Sequence, residues 1–149
     1  MRASIAGCSV AVLSAVLIVG SAPLVNANAT SSWGYYSAYG KGYRNQAGAY
    51  VFYKGQADVS TYVGPQSGYS IPSGWMSARG RMFTESGALY CEGGNVYNGS
   101  TVSYPDSTRG SACTRYGSGF NFYSYGVTRS WTGSSYGNWY TYQSPMQTT

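Results

Sequence analysis

Histidine is missing from the whole 149-residue sequence. That absence removes the Ser-His-Asp and Cys-His constellations, the side chain that titrates near neutrality and the commonest metal ligand. Charge is scarce as well. Asp, Glu, Lys and Arg make up 9% of the chain, against a usual quarter, and only Asp58, Glu85, Glu92 and Asp106 carry carboxylates. Any acid–base mechanism must draw on those four. A glycoside hydrolase needs two acids about 5 to 10 Å apart, which Glu85 and Glu92 satisfy only if they face each other on paired strands. Bound calcium or zinc would consume most of the acids, and no clustered ligand spacing is present, so no metal and no cofactor is implied. The abundant serines include no Gly-x-Ser-x-Gly elbow and no Ser-x-x-Lys pair. Long apolar runs are also lacking beyond the first 25 residues, which argues against a polytopic membrane protein.

The first 29 residues read as an export signal. Arg2 is a minimal positive region, Val10 to Val19 is apolar, Gly20 and Pro23 break it, and small residues allow cleavage after Ala27 or Ala29. The strongly apolar part is only about ten residues, half of what spanning requires. Residues 30–149 then form one secreted β domain, either free or associated with a cell wall. Removal of the leader takes Cys8 with it and leaves Cys91 and Cys113, which in an oxidising space predict a disulfide. A reactive cysteine has no histidine to activate it.

Aromatic and β-branched residues recur in short runs separated by Gly, Ser, Asn and Pro, with no sustained helical period. About eight short strands in an antiparallel β-sandwich or small barrel are the expectation. A hairpin is predicted over Ala49–Val63 with its loop at Gly55-Gln56-Ala57, and a second over Val96–Val102 with a type I′ turn at Asn98-Gly99. Phe120–Arg129 and Tyr136–Gln143 predict a third, closed over residues 132–135. Asn98-Gly99-Ser100 also matches a glycosylation sequon. From Trp75 to Phe83 the faces separate at period two. Met76, Ala78, Gly80 and Met82 enter a core, while Trp75, Ser77, Arg79, Arg81 and Phe83 point outward. Leu89 and Cys91 face inward on the next strand, opposite in sense to Tyr90 and Glu92.

What the sequence holds in excess is rings and guanidinium groups. Seventeen Tyr, four Trp and four Phe exceed what one small core buries, so some tyrosines must lie at the surface. Past the leader, Lys41, Arg44, Lys54, Arg79, Arg81, Arg109, Arg115 and Arg129 outnumber the four acids. For any single arginine a solvated surface position is the simpler account. Arg79 and Arg81 on one face between Trp75 and Phe83 are the best candidate for binding, since an Arg beside a ring engages carboxylate or phosphate while stacking. Tyr among Gly, Ser and Asn is the chemistry of adaptable binding faces. The expected partner is an anionic wall polymer or glycan, with a membrane surface as a second class. Nucleic acid is disfavoured by export, and the oligomeric state is not legible.

Two resemblances add to this. Tyr123–Arg129 followed by Tyr140–Pro145 resembles the ends of short secreted proteins of Gram-positive bacteria that carry no assigned activity, which implies an exported bacterial β domain. Ser32-Trp33-Gly34-Tyr35-Tyr36, Gly74–Ala78 and Gly87–Tyr90 look like segments of the lactococcin 972 family of secreted bacteriocins, which are small β-sheet proteins. This chain departs from them in lacking histidine, in its cysteine pair and in its length, and no functional residue carries over. The leading expectation is a non-enzymatic secreted binding protein. A bacteriocin-like antibacterial protein and a small glycoside hydrolase are the alternatives.

Overall fold

The computed structural model describes residues 27–149 apart from Lys54, so Cys8 and the predicted leader up to residue 26 lie outside the described residues. Within them the chain is all-β and every strand pairing is antiparallel. In chain order the strands are β1 (Ala27–Thr30), β2 (Gly34–Ala38), β3 (Lys41–Phe52), β4 (Gln56–Pro65), β5 (Ser70–Ile71), β6 (Met76–Arg79), β7 (Arg81–Thr84), β8 (Leu89–Glu92), β9 (Val96–Tyr97), β10 (Val102–Ser103), β11 (Thr108–Ser111), β12 (Arg115–Tyr116), β13 (Asn121–Ser124), β14 (Val127–Trp131), β15 (Tyr136–Tyr140) and β16 (Gln147–Thr148).

One layer is the sheet β1-β3-β4-β11, with β2 continuing along β3 beyond β1 and β12 along β4 beyond β11. β3 and β4 form its spine, and their loop lies between Phe52 and Gln56 with Gly55 at φ 70°. The expected loop was two residues further on. Pairing of Val51 with Ala57 draws Gln56 and Ala57 into the strand, because Ala57 then enters the core beside Val59.

The second layer is a bent ladder. β6 pairs with β14 (Arg79↔Val127) and β7 with β13 (Met82↔Ser124) in one continuing register, broken at Gly80 on one side and at Tyr125-Gly126 on the other. β15 and β9 flank the first half, and β16 and β8 the second. The breaks are steric. A Cβ on Gly126 would overlap the Thr61 side chain and one on Gly110 of β11 would overlap the Ala78 carbonyl, so the second layer's backbone lies against a side chain of the first at Gly126 and against its backbone at Gly110. Buried Ser60, Thr61 and Ser124 complete this waist. It divides the core into one lobe around Tyr43, Val63, Ile71 and Met76 and another around Val51, Val59, Met82 and Phe122.

Two local expectations are corrected. Val96–Tyr97 and Val102–Ser103 do not pair with each other: β9 joins β6 and β10 joins β5. Asn98 is buried between them instead of exposed in a turn. Its Oδ1 accepts from Met76 N at 3.0 Å, and its Nδ2 donates to the carbonyls of Pro72 (2.7 Å) and Ser100 (2.9 Å). That amide is occupied as a latch, so the sequon is closed in the folded protein. Leu89 is also exposed, because a bulge sets Cys91 opposite Met82 and Leu89 opposite Phe83, leaving Tyr90 as the extra residue. The third hairpin forms as expected in its closing part, Trp131↔Tyr136, while Asn121–Ser124 crosses to the other half of the bent layer.

Cys91 and Cys113 are disulfide-bonded, with Cα atoms 6.2 Å apart, and enclose β9, β10 and β11. Reduction is expected to remove about 3 kcal/mol, lowering Tm by about 10 °C; circular dichroism melts with and without reductant check this, and superimposable melts would contradict it. Asn98→Ala leaves several buried groups unpaired and should cost about 2 to 4 kcal/mol in urea unfolding. Gly99→Ala meets open space and should cost under about 0.5 kcal/mol, the reverse of what a type I′ turn demands.

Candidate functional site

An open cavity of about 380 Å³ lies between the β2 edge of the first layer and β15 with the tail that follows it. Its floor is built from residues nearly a hundred positions apart. Tyr36 stacks on Tyr43 (5.3 Å, 7° between planes) and on Trp139 (4.6 Å, 10°), giving a three-ring pile. Alternation on β2 turns Tyr36 inward and leaves Tyr35 exposed at the rim. Tyr125 and Tyr140, stacked at 5.6 Å, form another wall, and exposed Tyr142 extends it.

Beneath the rings a polar network joins the layers. Asn45 Nδ2 donates to Thr128 Oγ1 (3.1 Å) and to the Tyr140 carbonyl (3.3 Å). The Tyr36 hydroxyl meets Thr128 Oγ1 at 3.2 Å and Ser130 Oγ at 3.0 Å. The tail is held against the bend in the second layer: Gly126 N donates to Thr141 Oγ1 and Ser124 N to Ser144 Oγ, at 3.0 and 2.9 Å. These bonds set Tyr142 and Gln143 at the cavity mouth. Thus the rings are fixed before any ligand arrives, which lowers the ordering cost of binding.

The cavity is polar in hydroxyls and amides but no charged side chain lines it. None of the four acids is placed there. Asp58 accepts from Gln56 Nε2 at 2.8 Å and Glu85 from Asn121 Nδ2 at 2.7 Å. Glu92 lies opposite Arg81, whereas Glu85 sits beyond the far end of β7, four residues along the strand and so about 13 Å away.

The four residues singled out from sequence fall in two places. Arg79 and Arg81 both approach Glu92, at 3.6 and 3.5 Å, and the Arg81 guanidinium lies 4.7 Å from the Phe83 ring centre. Phe83 belongs to neither core lobe but is not free at the surface, because Tyr123 (5.4 Å) and Tyr125 (6.1 Å) cover it. Trp75 is separate: it is half-buried, tilts against Tyr39 at 5.5 Å and packs on the first core lobe. Sequence reasoning missed the cavity itself. Its signal was the dense Tyr35-Tyr36 and Trp139–Tyr142 clusters, but nothing local shows that they meet.

No protein-family model, curated protein or solved structure matches the chain.

Burial pushes the Tyr36 hydroxyl above its ordinary value, opposed by its bonds to Ser130 and Thr128. It pushes Tyr43 up to about 12, with the neighbouring Tyr36 adding to the rise. A raised folded-state value means the unfolded chain loses its proton first. Stability from this pair is therefore complete below about pH 10 and is lost as pH climbs toward 12. Chemical denaturation from pH 8 to 12 should show a fall of about 2 kcal/mol from Tyr43, and Tyr43→Phe should flatten it. An equal slope in that variant would contradict the assignment.

Proposed function

We propose that this is an exported, non-enzymatic β-sandwich protein that binds an extracellular or envelope glycan. The observation that carries the reading is the cavity: fixed aromatic faces, hydroxyls and amides with no carboxylate or imidazole among its lining residues. Sugars present apolar C–H faces edged by hydroxyls, and preset rings with convergent hydrogen-bonding groups suit them. Export is supported by the leader pattern and by a disulfide that fits an oxidising compartment. The same features suit retention at a cell wall. Catalysis is disfavoured because all four acids lie away from the cavity lining and three of them, Asp58, Glu85 and Glu92, are held by amides or arginines.

The test is titration of the purified, disulfide-bonded protein with a panel of soluble oligosaccharides, followed by calorimetry. Tyr140 and Tyr142 are 55% and 62% exposed, so their removal leaves the core intact. Tyr140→Ala and Tyr142→Ala should each weaken binding up to about tenfold with Tm nearly unchanged. Absence of binding to every member of the panel, or binding indifferent to both substitutions, overturns the reading.

A further inference from the structure

Resting on that reading, we infer that the cavity is one end of a longer binding track and that its ligand is an acidic oligosaccharide, with a carboxylate or phosphate a few sugar units from the ring held in the cavity. The track is written in the sheet register. Arg79, Val127 and Tyr140 stand in one row across β6, β14 and β15, so Tyr140 at the cavity wall and the arginine are two strand spacings, about 10 Å, apart, with the buried side chain of Val127 between them. A parallel path runs through rings. Tyr140 stacks on Tyr125, Tyr125 lies 6.1 Å from the buried Phe83 ring, and the Arg81 guanidinium lies over Phe83, so the packed rings hold that arginine toward the cavity side.

The far end is cationic. Two arginines share the single carboxylate of Glu92, which leaves one positive charge in excess. Both contacts, at 3.5 and 3.6 Å, are longer than charge-assisted hydrogen bonds, and Arg79 Nε has no hydrogen-bond partner among the described residues. Glu92 is 40% exposed, so a ligand acid can displace it into solvent and take a forked contact with one arginine while ring stacking holds the other in place. The track therefore couples a neutral, ring-lined cavity to an anion-seeking end.

The experiment compares an oligouronide with its carboxyl-reduced neutral counterpart, and a sugar-phosphate oligomer with its dephosphorylated form, by calorimetry at low and high salt. The protein should favour at least one acidic form about tenfold at low salt, and the arm that shows it names the acid. Arg79→Gln with Arg81→Gln should collapse that ratio toward one. Glu92→Gln, which keeps both arginines and removes their competitor, should raise it, and it serves as the test if the double variant fails to fold. Equal affinity for acidic and neutral forms in both arms, or a ratio unmoved by Glu92→Gln, overturns the track while leaving the glycan reading intact. Failure of all four sugars to bind overturns both.

Discussion

The close approach of the two layers at their middle is the constraint on which the rest depends. At Gly110 and Gly126 the neighbouring backbone and side-chain atoms leave no room for a Cβ, and the buried side chains around them, among them Ser60, Thr61, Ala78 and Ser124, are small. Large residues must pack above and below. The core becomes two small lobes instead of one large one, and the strands of the second layer bend around the contact. A domain with so little interior volume cannot swallow twenty-five rings, so aromatic side chains spill onto both outer surfaces and into the cavity at one edge.

With few ions to solubilise it, the surface relies on tyrosine hydroxyls and on arginines that lie against rings. Arg44 sits between Trp33 and Tyr104, at 4.4 and 4.6 Å, and its Nη2 donates to the Pro105 carbonyl; Arg115 covers Phe120 at 4.1 Å. These side chains act as planar struts as much as charges. Only Arg79 and Arg81 form ion pairs among the described residues, and they share one acid. Elsewhere on the bent layer Arg129 is held by rings instead, its Nη1 donating to the Tyr97 hydroxyl and its guanidinium 5.2 Å from the Tyr136 ring centre.

Much of the architecture follows from residue order alone. Short aromatic runs with Gly and Asn between them gave an all-β antiparallel fold, and Cys91 and Cys113, the two cysteines among the described residues, form the expected disulfide. The inward set Met76, Ala78, Gly80 and Met82 is buried, but so are Ser77 and Phe83 from the face expected to be outward, because neighbouring strands and rings cover both sides of a strand that is cut at Gly80. Where local reasoning failed, a distant partner had intervened. Asn98-Gly99 has the chemistry of a tight turn, but the buried amide of Asn98 finds Met76 and Pro72 across the layer, and those bonds outweigh turn preference. Leu89 turned outward because one extra residue in β8 rotates everything before it.

The amino-acid sequence by itself determined strand chemistry, the cysteine pair, the scarcity of acids and the surplus of rings, because each is a property of residue type and near-neighbour spacing. Tertiary structure alone decided which rings became a site. Tyr36 and Trp139 stack over more than a hundred residues of intervening chain, and Arg79 and Tyr140 share a face through a register that no local pattern encodes. Strand pairing at such separation is set by which whole arrangement buries its apolar faces and satisfies its backbone, so the cavity and the row that holds Arg79 level with Tyr140 are outcomes of the global fold.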